Sequence, residues 1–167
     1  MQTSLPENSL AIRRAAARLC GQLGWAVLHE VPLPNGRRAD ILALRPDGGF
    51  ACIEVKSGPR DFLTDFKWQE YRAYSDALYF AVDEEFPLAL LPTDTGLVVA
   101  CTGGGGCRPG SLFAHDAELL REAPVHGLNP ARRRALTHRF ATLAAQRLAM
   151  LEDPAITASL RAALRAE

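Results

Sequence analysis

The stretch Arg38-Ala39-Asp40-Ile41-Leu42-Ala43-Leu44, then Arg45-Pro46-Asp47-Gly48-Gly49, then Phe50-Ala51-Cys52-Ile53-Glu54-Val55-Lys56-Ser57, decides how this chain folds. The outer runs are apolar and β-like and the middle is a strong turn string, so the whole reads as a hairpin. Set into these runs are two acids and a lysine, where a packed core would prefer none of them. Side chains alternate along a strand, so Glu54 and Lys56 point the same way, roughly 6.6 Å apart. The hairpin brings Asp40 beside them.

Two carboxylates sharing a small site repel, which raises the pKa of one unless a cation lies between them. A hard divalent ion suits such a place. Mg²⁺ takes oxygen ligands, keeps several waters, and is usually held by one or two carboxylates together with substrate phosphate. An ammonium at Lys56 can orient a water or neutralise charge developing on a phosphate. The rival for Asp40 is a salt bridge to Arg38 or Lys56; the rival for Glu54 and Lys56 is an exposed charged face on an edge strand. The flanking Ala51-Cys52-Ile53 and Val55 argue for an interior strand instead.

An Asp followed by Glu-x-Lys on the next strand resembles the PD-(D/E)XK nuclease superfamily, which has the restriction-endonuclease-like fold. Here the three are Asp40, Glu54 and Lys56. The wider set looks like the MmcB-type family, bacterial proteins associated with DNA repair: Glu30 to Pro34, Gly36 to Asp40, Ile53 to Ser57, Asp61-Phe62, Lys67-Trp68, Tyr71-Arg72 and Asp76 to Val82. The resemblance runs from about Ser4 to about Met150. It implies an α/β fold of the restriction-endonuclease type, a DNA-repair setting and DNA as partner. It further implies Mg²⁺ or Mn²⁺ held by Asp40, Glu54 and the backbone carbonyl of Val55, with Lys56 completing the catalytic set.

With 167 residues the chain is long enough for one domain with a substantial core and too short for two ordinary ones. A single domain over 1–167 is expected, with a helical extension from about 130 to 167. Apolar residues make up 48% and charged residues 23%, the balance of a globular chain rather than a disordered one. The formal charge is zero, from 19 basic and 19 acidic residues, so any nucleic-acid surface must be local. Candidates are Arg13-Arg14 with Arg18, Arg37-Arg38, and Arg132-Arg133-Arg134 with His138-Arg139; each also reads as a solvated helix face or loop. Cys20, Cys52, Cys101 and Cys107 have no zinc-ligand spacing, and Cys20 and Cys52 lie in apolar runs. With no signal peptide and no long apolar span, a cytoplasmic location and no membrane contact are expected.

Outward from the hairpin, Ser4-Leu5-Pro6-Glu7 is a helix start with a capping box, and Leu10, Ala11, Ala15, Leu19 and Cys20 form its apolar stripe. Trp25 to Val31 reads as the first strand. Asp61 caps a second helix running to about Tyr74, with Phe62, Phe66 and Trp68 in the core, and Ala77 to Val82 is a buried strand. The order α, β, β, β, α, β follows, with a helical turn at Pro87 to Pro92 and a strand at Gly96 to Ala100. Gly103 to Gly106 lacks the Gly-Lys-Ser/Thr ending of a phosphate loop and reads as a turn. A long helix from Pro130 to about Met150 presents Leu136, Phe140, Leu143, Ala144 and Leu148, and a short one follows with Ile156, Leu160 and Leu164. These helices could serve a homodimer or a repair-protein partner.

Glu30, ending the first strand, could add a third carboxylate, and so could Glu7, which already has a role as half of the capping box. Lys67 and Tyr71 fall four apart on one face of the second helix, partly exposed, and with Arg38 are candidates to touch substrate. Ser57 has no recognisable His and acid partners and reads as a turn residue. Two functions stand: a metal-dependent DNA endonuclease, or a non-catalytic repair accessory or DNA-binding module on the same fold.

Overall fold

A computed structural model describes residues 5–102 and 116–152. Its core is a six-stranded sheet with strands in chain order: β1 (Ala26–Pro32), β2 (Arg38–Leu44), β3 (Phe50–Val55), β4 (Ala77–Asp83), β5 (Gly96–Ala100) and β6 (Ala117–Arg121). The first three are antiparallel, β3, β4 and β5 run parallel, and β6 returns antiparallel. This mixed α/β arrangement is consistent with a restriction-endonuclease-like core. Parallel strands are covered on both faces, so they read as unbroken apolar runs; β4, Ala77 to Val82, is wholly buried.

Helix α1 (Leu5–Gln22) lies across one face of the sheet. Its Ile12, Ala15, Ala16 and Cys20 pack on Ile41, Ala43, Ile53, Val55, Tyr79 and Ala81, the odd-numbered positions of β2, β3 and β4. Even-numbered side chains therefore face the other way. There Phe80 and Val82 pack with Phe62, Trp68 and Phe86, with Phe62 and Trp68 both meeting Phe80 edge-on at 5.4 Å. Two opposed cores thus grip the central strands, and Asp40, Glu54 and Lys56 belong to the even-numbered set.

Two local devices fix the frame. Tyr79 and Gly96 are direct partners between β4 and β5, and the tyrosine ring fills the space of a glycine side chain, since a Cβ on Gly96 would stand 2.1 Å from it. Buried Asp76 accepts the amides of Phe50 and Leu128 at 2.7 Å each, and its own amide donates to the Phe50 carbonyl. It ties the start of β3 to the loop beyond β6.

Several expectations are corrected. The second helix is short, α2 (Pro59–Thr64), and is followed by a 3-10 helix at Trp68–Tyr74. Gly58 rather than Asp61 is its cap; Asp61 instead accepts the amide and hydroxyl of Ser57. Phe66, expected in the core, is 83% exposed, and Tyr71 is buried. Strand β6 has no counterpart in the sequence reading. The helical turn expected at Pro87 to Pro92 is present, as the 3-10 turn Leu88–Leu90. As expected from their apolar runs, Cys20 and Cys52 are buried, and both are free thiols, while Cys101 is disulfide-bonded. Ser4, the glycine run and the helix expected after Pro154 lie outside the described residues.

The chain divides into two compact units, Met1–Asn129 and Pro130–Glu167. The second holds α3 (Pro130–Leu151), in which Leu136 and Phe140 are buried. Leu148, expected on the apolar stripe, is exposed, as are Met150 and Leu151. Among the described residues no helix is long and apolar enough to cross a membrane.

Candidate active site

The register of the sheet sets the acids in one row. β2 and β3 pair through Ile41 and Ile53, so Asp40 and Glu54 are the next opposed positions. β1 and β2 pair at His29 with Ile41 and at Val31 with Ala39, which places Glu30 opposite Asp40. Glu54 in turn pairs with Phe80. Three carboxylates therefore occupy neighbouring positions on three adjacent strands, with an aromatic wall after them.

Beyond Ile41 and Ile53, side chains take over part of the backbone ladder. The Val55 amide donates to Asp40 Oδ2 at 2.8 Å, and the Asp40 amide donates to Glu54 Oε1 at 3.4 Å. Each acid is thus held by the opposite strand. Burial pushes the Asp40 carboxyl above its ordinary range, the Val55 amide works against this, and the Glu30 charge adds to it. Glu54, 4% exposed, is pushed up to about 8, first by burial and then by the Asp40 charge, with Lys56 opposing. The Cys52 thiol, 3.8 Å from Glu54 Oε1, is pushed well above its ordinary value by burial and then by Glu54, so it stays protonated and can donate to that oxygen.

Lys56 is 5% exposed, and its Nζ lies 2.6 Å from Asp65 Oδ2 in the link after α2. Neither sequence-level rival for Asp40 is realised: Lys56 pairs with Asp65, and Arg38 pairs with Glu30. Arg13 of α1 also pairs with Glu30. Asp65 was missed from sequence; its signal, an Asp seven residues short of an arginine and nine past a lysine in a helical pattern, is indistinguishable from ordinary surface charge. Glu7 is exposed in the first turn of α1, and its neighbour Asn8 donates to Asp83 Oδ2 at 2.8 Å and to the Ser57 carbonyl.

Lys67 and Tyr71 do not share a helical face. Lys67 is exposed at the link, while the Tyr71 hydroxyl donates to the Arg38 carbonyl at 3.1 Å and thereby fixes the start of β2. Burial, and next the Glu54 charge, push its phenol upward.

The donor set fits a hard cation with open coordination. Two carboxylates stand at opposed positions of adjacent strands, and burial and then the Asp40 charge disfavour an ionised Glu54, with Lys56 opposing; a divalent ion between them would favour the ionised form. Among the described residues no group of three or more His, Cys, Asp or Glu is placed to hold a metal ion, so a closed protein cage is not what this site offers.

A profile of the MmcB-like family, described as DNA repair protein MmcB-like, matches residues 1–155. Among solved structures, the chain is similar to SPO1766, a protein of unknown function from Silicibacter pomeroyi, at 39% identity and a TM-score of 0.75, over 92% of this chain and 95% of that one. None of the curated proteins matches. With a match across nearly its whole length, the chain belongs to the MmcB-like family of DNA repair proteins.

Proposed function

We propose that this protein is a metal-dependent deoxyribonuclease of the PD-(D/E)XK superfamily, hydrolysing phosphodiester bonds in DNA repair. The observation that supports this best is the opposed pair Asp40 and Glu54 on β2 and β3, with Lys56 one step further on the same face. Asp40, Glu54 and the Val55 carbonyl would hold Mg²⁺ or Mn²⁺, which when bound neutralises phosphate charge and acidifies water. Lys56 orients the attacking water and offsets charge on the phosphate as it develops; Asp65 fixes where that ammonium stands. Tyr71 keeps β2, and so Asp40, in place. Positioning and electrostatics carry such a reaction without a covalent intermediate. Lys67, exposed beside the site, is available to phosphate.

A second reading is a repair accessory that uses the fold without cleavage. It is favoured by the zero net charge and by the pairing of the basic groups around the site with acids. Labelled single-stranded, duplex, flapped and four-way-junction DNAs, incubated with Mg²⁺ or Mn²⁺ and the natural chain, Asp40→Asn or Lys56→Ala, separate the two. Metal-dependent cleavage lost in both variants supports the nuclease. Binding by all three proteins with no cleavage supports the accessory.

A further inference from the structure

We propose that Arg13 and Arg38 form a two-guanidinium site for a phosphodiester group of a DNA strand, and that Glu30 occupies this site until the strand arrives. The inference rests on DNA being the ligand, as read above, and does not require cleavage. Arg13 comes from α1 and Arg38 from the first position of β2, yet both guanidinium groups close on the one Glu30 carboxylate. Glu30 stands opposite Asp40, one strand spacing away, roughly 4.8 Å. The site therefore lies on the β1 side of the acid pair: the positive φ of Glu30 takes its side chain out of the alternation of β1 and toward Arg13 of α1, while its backbone stays opposite Asp40. A strand with one phosphate at Asp40 and Glu54 would bring a neighbouring phosphate to it.

The ligand class follows from the donors. A guanidinium has a fork of N–H groups and no acceptor, so it recognises planar or tetrahedral anionic oxygens and cannot answer the N–H groups of a base edge. Carboxylate and phosphate offer that fork the same kind of oxygens, so a phosphate can replace Glu30 without leaving either arginine unpaired. A strand gains access at Arg38, whose side chain is 68% exposed; Glu30 is 34% exposed with its Oε2 buried, so its carboxylate must swing out before a phosphate meets Arg13, 25% exposed.

The backbone shows what holding Glu30 there requires. Among the described residues it is the one non-glycine with a positive φ, 51°. Glutamate takes that left-handed conformation reluctantly, whereas asparagine adopts it far more readily. Glu30→Asn therefore removes the charge while suiting the local backbone, and Glu30→Gln serves as a second, isosteric variant.

The test is fluorescence anisotropy of a short labelled single strand, in EDTA at low salt, with the full-length natural chain, both Glu30 variants, and a double variant carrying Arg13→Gln and Arg38→Gln. Thermal unfolding checks that each variant is folded. Removing the competing carboxylate should tighten binding roughly fivefold to tenfold, and removing both arginines should weaken it by about tenfold. The double variant should also make log K against log salt shallower by about 0.7, the share of one phosphate on a single strand. Binding by the Glu30 variants no tighter than the natural chain, an unchanged double variant, or no binding by any of them overturns the proposal. Cleavage of the same strand in Mg²⁺ is scored apart, so either inference can fail while the other stands.

Discussion

Lys56 and Asp65 stand 2.6 Å apart, Nζ to Oδ2, and join the end of β3 to the link after α2. Partial burial works against the Asp65 carboxylate, but the hydrogen bond from Lys56 and that from the Lys67 amide outweigh it and hold its pKa below the usual range. A carboxyl depressed in the fold contributes stability above its unfolded value near 3.8, and loses it as pH falls through the folded value. Asp65→Asn should therefore destabilise the chain at pH 7 by about 1–3 kcal/mol, because Lys56 is left buried with a weaker partner. Urea unfolding at pH 7 and at pH 3 reads this: the deficit should shrink at the lower pH, and an equal deficit at both would show that the pair contributes nothing through charge.

Glu54 has the opposite sign. Its carboxyl, ordinarily near 4.5, is raised to about 8 in the fold. Between those values the folded chain keeps a proton that the unfolded chain releases, so stability falls as pH rises from 4.5 towards 8. In EDTA, Glu54→Gln should unfold close to the natural chain at pH 5, where both are neutral at this position. At pH 8.5 the variant should be more stable by about 4 kcal/mol. A thermal series across that range that kept the two curves parallel would contradict the raised carboxyl.

Asp76 offers a structural test away from the chemistry. Its two carboxylate oxygens satisfy the Phe50 and Leu128 amides in a buried place. Asp76→Ala leaves both donors without that acceptor, and a loss of about 2–4 kcal/mol is expected. Asp76→Asn, which keeps one acceptor oxygen, should lose less. Denaturant midpoints for the two variants decide it; equal losses would mean that the contacts act through shape alone.

Gly96 tests the packing of β5 on β4. An added methyl would stand 2.1 Å from the Tyr79 ring, so Gly96→Ala forces the ring or the strand to move. Overpacking of this kind costs about 1–3 kcal/mol. Shortening the partner with Tyr79→Leu in the same chain should recover part of that loss, measured as a non-additive double-variant cycle. Strict additivity would show that the ring is not what the methyl meets.

The hairpin, the order of the first five strands and the opposition of Asp40 to Glu54 were legible because a two-residue pleat and a strong turn leave one register that buries Ile41 and Ile53 together. Strand β6 was not. Ala117-Glu118-Leu119-Leu120-Arg121 has no alternation of its own and becomes a strand by pairing with the edge of β5, a tertiary effect that local pattern does not carry. The second helix was overextended for a different reason. Asp65 Oδ1 accepts the Lys67 amide two residues on, a local alternative to the helical ladder, and the chain turns there. That turn sends Phe66 outward and draws Tyr71 inward, reversing their expected exposures. Glu30 was legible as a candidate acid, but its two arginine partners arrive from α1 and β2, and no spacing in the sequence announces that meeting.

Asp65 spends one oxygen ending the run of backbone that began as α2 and the other on the Lys56 ammonium. Helix length and lysine position are therefore set by a single side chain. A relative that lengthened α2 through this point would also have to find its lysine a new anchor, so variation in the loop and variation in the site cannot proceed independently.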